Sequence, residues 1–600
     1  MSDWIKDTKL RIGTVVGDAS TDTFTFILKS FSAKLGDIVA TPTEVPGSEG
    51  TYGAVVWGRV VGINRVNPFF PAEAAQELSE QDINLLDTVL STTRDYLQAE
   101  VLILGATRTA DAKKLRLSPV TYPVKPSAGV FSPPAHVIQV LLTGEADDKT
   151  VKLRLGSLIG RKDVEVSLEA NKIVSRHLAI LAMTGGGKTV AARRVLRELI
   201  GKKYPVVILD PHGDYLAFYE KRKELGGVDV KLFYPAIRVY NSDTGAIEEL
   251  IAKMGHRLTD PQKDFFQTVV GLTSFEAGAT AERYIASLIT TCDSLKKNGR
   301  NGDKINAMTA NAVRRSLDFV RRALATMQAN NDRLREQDRL KSYKFQELPD
   351  PQTSPDEIVR PGQVAILYLA GFDHLTQSAI ASIVLEHLFA HRAKLTDRIA
   401  PFLTVIEEAH NFVPGRREGT EDTPSLATVR KVITEGRKFG TGLMLISQRP
   451  SRLDETILSQ CNSFLVLRLV NPKDKTFVRS VMENLSESDA NILQTFGPGQ
   501  GIVSGQAVRF PLLVDIDFDE DLVSDAIGDE DFVGKATRWQ PDPVREAIAG
   551  LVDGLPEETP RKSAGSPSAS RRRKPLPEVG FNAGKRRGAK PSGAGKRPRA

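Results

Sequence analysis

Cysteine is almost absent: Cys292 and Cys461 are the two in 600 residues, far apart and without metal-ligand spacing. Neither a disulfide framework nor a cysteine zinc site organises such a chain, and both thiols are expected to be reduced and structural. Long apolar runs are missing too. No stretch approaches the length that a membrane helix needs, and the opening MSDWIKDTKL contains no signal-peptide core. A soluble, cytoplasmic protein with no membrane partner is the expectation. Acidic residues are also scarce at the basic C-terminal end. Thr559 to Ala600 holds 13 Lys or Arg against the single acid Glu578, a local +12, so the overall +7 leaves 7 − 12 = −5 for the rest. The basic balance therefore describes a tail, not a basic body. At 600 residues the chain exceeds what one core usually serves, which implies at least two globular domains plus appendages.

What is present is concentrated in Ser175 to Val190, SRHLAILAMTGGGKTV. The run Leu178 to Met183 has the length of a buried parallel strand. Three glycines and a Lys-Thr pair follow, and Ala191 to Leu196 continues as a helical pattern. Strand, glycine loop and helix form a P-loop context. Gly185, Gly186 and Gly187 let successive N–H groups turn towards phosphate oxygens, and the helix adds its positive end. Lys188 is placed for the β- and γ-phosphates, and the Thr189 hydroxyl for Mg²⁺. Thr184, Gly185, Gly186, Gly187, Lys188, Thr189 and Val190 are thus the candidate ATP-binding residues. Ala182 stands where the usual G-x-x-x-x-G-K-[ST] pattern has glycine.

Upstream, from Leu10 to Val66, short β-branched runs separated by turn signals predict a small β-barrel. Ala72 to Gln98 reads as an amphipathic helical stretch, and VLILGA and HVIQVLLT as resumed strands. Such a barrel suits nucleic acid, a partner or a second copy of the chain, with structural docking the default. Downstream of the glycine loop, YPVVILDPHGDY is another buried strand with an acidic end. Asp210 there is suited to metal-bound water, to a neighbouring subunit, or equally to a simple turn or cap. Thr244 to about Tyr343 reads as a polar helical insertion with an apolar stripe. GQVAILYLA returns to a buried strand and is followed by a helix from Thr376 to Arg392. His387 and His391, four apart on that helix, lack the further ligands that zinc needs and read as an exposed face.

Phe402 to Phe412, FLTVIEEAHNF, is a buried strand ending in two carboxylates, the pattern of a Walker B strand lying beside the P-loop. Glu407 is expected to face Mg²⁺ through water, so Thr189 and Glu407 are the candidate metal-binding residues. Glu408 is expected to orient and polarise the water that attacks the γ-phosphate. Glu407 is one methylene longer than the commoner Asp. His410 reads as a hydrogen-bond relay rather than a ligand. In VITEGRKFGTGLMLISQRPSRL, Gly442 to Ser447 is a further buried strand and Gln448 at its end carries an amide suited to sensing the γ-phosphate. Arg437 lies in a polar, glycine-flanked turn before that strand. It suits an arginine finger, a surface role or a DNA-phosphate contact, and Lys438 suits the last equally.

SRHLAILAMTGGGKT, LDPHGDY, VIEEAHNFVP, EGRKFG and ISQRPS, in this order, resemble HerA, the hexameric DNA-translocating ATPase related to FtsK and to the ATPases of type IV secretion. The likeness covers residues 8 to 525. It implies an α/β fold: a RecA-like core with a central, mostly parallel sheet, an N-terminal barrel, a helical insertion and a disordered basic tail. The implied division is a barrel domain over 1–165 with its insertion near 72–98, an ATPase domain over 166–515 with its insertion near 244–343, a brace over 516–555, and a tail over 556–600. The brace is implied to support a neighbouring subunit. ATP and Mg²⁺ are the implied cofactors, with Glu408, Glu407 and Gln448 catalytic. Arg437 is implied to act in trans and Arg176 to be a second arginine at the subunit interface. Double-stranded DNA, a homo-hexamer and a partner nuclease of the NurA kind are the implied associates, in DNA end processing. The competing expectation is a ring that scaffolds an effector, such as a nuclease or sirtuin-like NAD hydrolase, in antiphage defence.

Overall fold

The computed structural model describes residues 3–47, 50–67, 95–108, 115–144, 150–237, 244–254, 256–274, 280–298, 306–336, 342–394, 399–415, 423–482, 485–522, 534 and 536–537. Residues 530–600 cluster as a unit separate from 1–529. The expected basic tail and nearly all of the helical stretch at 72–98 lie outside the described residues. Tyr96 to Gln98, its described end, begins a strand instead.

A closed barrel comes first. It consists of β1 (Arg11–Val16), β2 (Thr23–Leu28), β3 (Ile38–Gly47), β4 (Gly50–Val66), β5 (Tyr96–Arg108) and β6 (Gly129–Phe131), in the order β1-β2-β5-β4-β3-β6. Strict alternation builds its core, as in β2, where Phe24, Phe26 and Leu28 point inward. The short β6 closes the ring by pairing with β1 on one side and with β3, at Ala40, on the other.

HVIQVLLT is not a strand. Ala135–Thr143 is a helix that buries Val137, Ile138 and Leu141, a spacing of three and four rather than two. Its apolar residues occupy both parities, so alternation could not exclude a strand, and the decisive signals are Pro134 at the N-cap and Gly144 at the C-cap.

The second sheet has twelve strands among the described residues, in the order β12-β11-β13-β10-β14-β15-β9-β16-β17-β18-β7-β8. These are β7 (Lys152–Leu158), β8 (Arg161–Glu169), β9 (Leu178–Leu181), β10 (Val206–Asp210), β11 (Asp229–Tyr234), β12 (Phe345–Glu347), β13 (Gln363–Tyr368), β14 (Phe402–Ile406), β15 (Thr441–Ser447), β16 (Ser463–Leu467), β17 (Gln500–Gly505) and β18 (Leu512–Ile516). From β12 to β16 every pairing is parallel, and from β16 to β8 every pairing is antiparallel. The central strands β9, β10, β14, β15 and β16 are buried at every residue, which explains their unbroken apolar runs. The hairpin β7–β8 belongs to this sheet through β18, and β8 runs through the expected boundary at residue 165.

Between β11 and β12 the insertion forms four helices, Thr244–Lys253, Asp260–Leu272, Ala281–Asn298 and Ala307–Glu336. They surround an apolar core of their own that includes Phe266, Leu288, Val313 and Leu317. No helix among the described residues is long and apolar enough to cross a membrane.

Candidate active site

The site forms where β9, β10, β14 and β15 end at the carboxyl edge of the parallel strands, the edge at which open α/β sheets place ligands. Walker B strand β14 is not beside the P-loop strand β9, because β15 lies between them. The side chains nevertheless converge, and Gln448, at the end of the intervening β15, sits between the two motifs.

Ala182 extends the ladder past β9 by donating its N–H to the Ser447 carbonyl at 3.2 Å, and its methyl is fully buried. A side chain is tolerated there because the backbone has not yet turned. The turn is made by Gly185, at φ +75°, and Gly187, at φ +92°. A Cβ on Gly187 would lie 2.8 Å from the Gly499 nitrogen, so both conformation and space demand glycine. Met183 N–H bonds the Arg468 carbonyl at 2.9 Å, which ties the loop to the segment after β16. Lys188 then opens the helix Lys188–Gly201, and half-buried Thr189 follows in its first turn.

Lys188 Nζ donates to Glu407 Oε1 and lies 3.1 Å from Glu408 Oε1. Burial acting alone would lower the Lys188 pKa. The field of Glu407, and then of Glu408, outweighs it and raises it. Glu407 is wholly buried, and that burial pushes its pKa up against the opposing pull of Lys188 and of the Tyr215 hydroxyl. The carboxylate and ammonium therefore depend on each other for charge compensation. Glu408 has φ 49° and ψ 47°, a left-handed conformation that costs an ordinary residue about 1–3 kcal/mol. Its Oε2 is buried and has no hydrogen-bond partner among the described residues. The nearby His410 Nδ1, at 3.3 Å, does not supply charge at neutral pH, because burial lowers the imidazole pKa to about 4. His410 Nδ1 is also 3.2 Å from Ser447 Oγ, consistent with a relay position.

Gln448 Oε1 accepts from Thr184 Oγ1 at 2.5 Å, which links the P-loop to the end of β15. Asp210 serves a turn: Oδ1 accepts the N–H groups of His212, Gly213 and Asp214 at 3.2, 2.7 and 3.1 Å, and Oδ2 that of Tyr215 at 3.0 Å. Burial pushes its pKa up to about 6. The turn it closes delivers Tyr215, which the sequence did not single out, onto Glu407.

The two arginines lie elsewhere. Arg437 is not in a turn but in the last turn of the helix Pro424–Phe439, exposed, with Lys438 beside it. Of its flanking glycines only Gly440 is the left-handed cap; Gly436 is a buried helical residue packed on the Thr441 carbonyl. Arg176 ends the helix Ala170–Arg176 and bonds Gln506. Both arginines precede their strands, β15 and β9, and so sit at the amino edge of the sheet, opposite Lys188 and Glu408. His177 binds this edge together: its Nε2 meets the Ile433 carbonyl at 2.9 Å and its Nδ1 accepts the Leu443 N–H at 3.1 Å. No sequence signal marked this histidine.

His391 does not lie on an exposed face. It is buried, with Nε2 at 2.8 Å from the Gln352 carbonyl, and His387 is half-buried. No His, Cys, Asp or Glu cluster suited to a metal occurs among the described residues.

Residues 153–388 match the family model for the central domain of helicase HerA. The chain is 27% identical over 566 residues to a probable helicase of Methanocaldococcus jannaschii, covering 90% of this chain and 98% of that protein. It is 26% identical over 581 residues to the DNA double-strand break repair helicase HerA of Pyrococcus furiosus, covering 88% and 96%. It is 30% identical over 381 residues to the protein of the same name from Sulfurisphaera tokodaii, covering 61% and 69%.

Proposed function

This chain belongs to the HerA helicase family, and from that premise we propose that it hydrolyses ATP to move double-stranded DNA through a homo-hexameric ring, working with a partner nuclease in DNA end processing. The observation that carries this reading is the meeting of Lys188, Glu407 and Glu408 at the carboxyl edge of the sheet. Glycine-loop N–H groups and the helix start at Lys188 supply the phosphate cradle, with Thr184 to Val190 around it. Mg²⁺ suits the donor set, which offers the Thr189 hydroxyl and the Glu407 carboxylate and so consists of hard oxygens. When bound, the ion neutralises phosphate charge during transfer.

The ion pairs also suggest how the resting site stays stable. Lys188 compensates a wholly buried carboxylate, and its flexible stem lets the ammonium turn to phosphate once cationic compensation is available to Glu407. Glu408 is held by Lys188 through one oxygen and leaves the other unpaired, the condition a water-orienting base requires. Gln448, fixed by Thr184, presents its amide from the strand between the two motifs. Arg437 and Arg176 face away from this chain's own site, an arrangement that suits delivery to a neighbouring subunit's nucleotide, where a guanidinium stabilises developing charge.

The test is ATP hydrolysis with and without linear duplex DNA, beside the Glu408→Gln variant. Hydrolysis falls by at least about 10²-fold in that variant while nucleotide binding persists, because the Lys188 cradle is intact. Retained hydrolysis would remove Glu408 from the mechanism. Hydrolysis indifferent to DNA would count against translocation.

A further inference from the structure

Glu407 is held by two donors of very different mobility. Lys188 reaches Oε1 from a flexible stem, whereas the Tyr215 hydroxyl donates to Oε2 at 2.7 Å from a fully buried ring. The ring stacks on Phe218 with centroids 6.2 Å apart and planes 12° apart. Its backbone is fixed as well, since Asp210 Oδ2 accepts the Tyr215 N–H and Oδ1 holds the three N–H groups before it. Asp210 ends β10 and Glu407 follows the last residue of its neighbour β14, so the turn projects the hydroxyl across one strand spacing.

The geometry points to Tyr215 as a positioning residue for Glu407 in the reaction, with Asp210 as the residue that sets Tyr215. This rests on the nucleotide-site reading above and adds a role to it. A glutamate has one more rotatable bond than the aspartate commoner at this position, so its carboxylate has more freedom to lose on binding a cation. The tyrosine removes that freedom. When Lys188 turns to phosphate, the ring cannot follow, and it remains the donor that keeps Oε2 occupied and Oε1 directed at the site. Supports of this kind, one shell behind a ligand, commonly govern metal affinity about 10–100-fold.

Tyr215→Phe keeps the ring and its packing on Phe218 and removes only the hydroxyl. The full-length variant is compared with the wild type by the binding of a fluorescent ATP analogue in EDTA and across a Mg²⁺ titration, with hydrolysis recorded in parallel. Metal-free nucleotide affinity stays within about two-fold, because the glycine loop and Lys188 are untouched, while the Mg²⁺ concentration for half-maximal effect rises about ten-fold in both readouts. A structural role alone would lower the thermal midpoint and leave the Mg²⁺ requirement where it was, and that result overturns the proposal. Asp210→Asn, which loosens the turn without touching the ring, provides a second route and raises the requirement by a smaller factor. In a Glu407→Asp background, whose shorter side chain cannot hold the tyrosine and the cation together, adding Tyr215→Phe changes nothing further. Additive effects there would sink the idea. Lys188→Ala separates the two readings: nucleotide binding that survives this change contradicts the site itself, whereas its loss together with an unmoved Mg²⁺ requirement in Tyr215→Phe contradicts only the role given to the tyrosine.

Discussion

His177 performs no chemistry at the phosphate edge, yet its imidazole holds the opposite edge in place. It is 2% exposed at φ 64°, and both ring nitrogens are engaged by backbone of the Pro424–Phe439 helix and of β15. Burial lowers its pKa to about 4. An unfolded histidine titrates near pH 6.5, so between about pH 6.5 and 4 the unfolded chain binds the extra proton. Stability is then complete above that window and falls with decreasing pH, by about 1.4 kcal/mol per unit and about 3 kcal/mol across it. His177→Gln removes this titration. Thermal unfolding of the two chains from pH 7.5 to 4.5 is expected to show a shallower acid limb in the variant, and parallel limbs would place the acid sensitivity elsewhere. The left-handed backbone of Glu408 is the complementary case at the other edge, a strained residue kept where a carboxylate oxygen stands unpaired.

At the level of elements, the segment after β18 is a clasp on β7, through Arg154, and on the P-loop helix of its own chain, through Arg194 and Arg197. Asp517, Asp519 and Asp521, alternate residues, meet Arg154 at 2.8 Å, Arg194 at 2.9 Å and Arg197 at 2.5 Å. This part of the expected brace thus contacts its own chain, and 523–533 lie outside the described residues. Asp519 serves both Arg194 and Arg197, and its side chain is 12% exposed, so solvent screens this pairing less than the outer Arg154 contact. Asp519→Asn is expected to cost about 1–3 kcal/mol, to lower the thermal midpoint, and to speed amide exchange in Lys188–Gly201. Unchanged exchange in that helix would show that the clasp does not restrain it. The same elements mark what sequence could reveal. Buried parallel strands announce themselves as short apolar runs, which is why the places of Lys188, Glu407, Glu408 and Gln448 beyond the ends of β9, β14 and β15 are legible in the sequence. Strand order is not: β15 inserts between β9 and β14, and nothing in either run says so. Around Arg437 the sequence reads as a turn because Gly436 and Gly440 look alike there, while one is packed inside a helix and the other ends it. Tyr215 and His177 act through partners 192 and 256 residues away, contacts that only the fold brings about.

For the whole chain, two features link distant parts. Arg59 of the barrel and Asp489, in the helix Glu487–Ile492 ahead of β17, form a pair at 2.7 Å with exposures of 1% and 0%. Breaking such a pair by removing one partner costs about 3–5 kcal/mol, so barrel and ATPase sheet are coupled rather than loosely tethered. The second is the separation of the candidate site residues across the sheet. Arg437 and Arg176 lie at the amino edge and Lys188, Glu407 and Glu408 at the carboxyl edge, with β15 spanning seven residues, about 20 Å, between them. On the proposal above, an arginine at that edge acts on a neighbour's nucleotide rather than its own, and each active site then needs two chains. Arg437→Ala and Glu408→Gln chains, each inactive alone, are therefore expected to regain hydrolysis when refolded or co-expressed together. An interface works when an Arg437→Ala chain supplies the intact Glu408 and its neighbour, a Glu408→Gln chain, supplies the intact arginine. With equal, random mixing in a closed ring that combination arises at about a quarter of the interfaces, so recovery to about a quarter of wild-type activity is the expected level if sites act independently. A finger acting within its own chain gives no recovery at any mixing ratio, since every chain then carries a defective site.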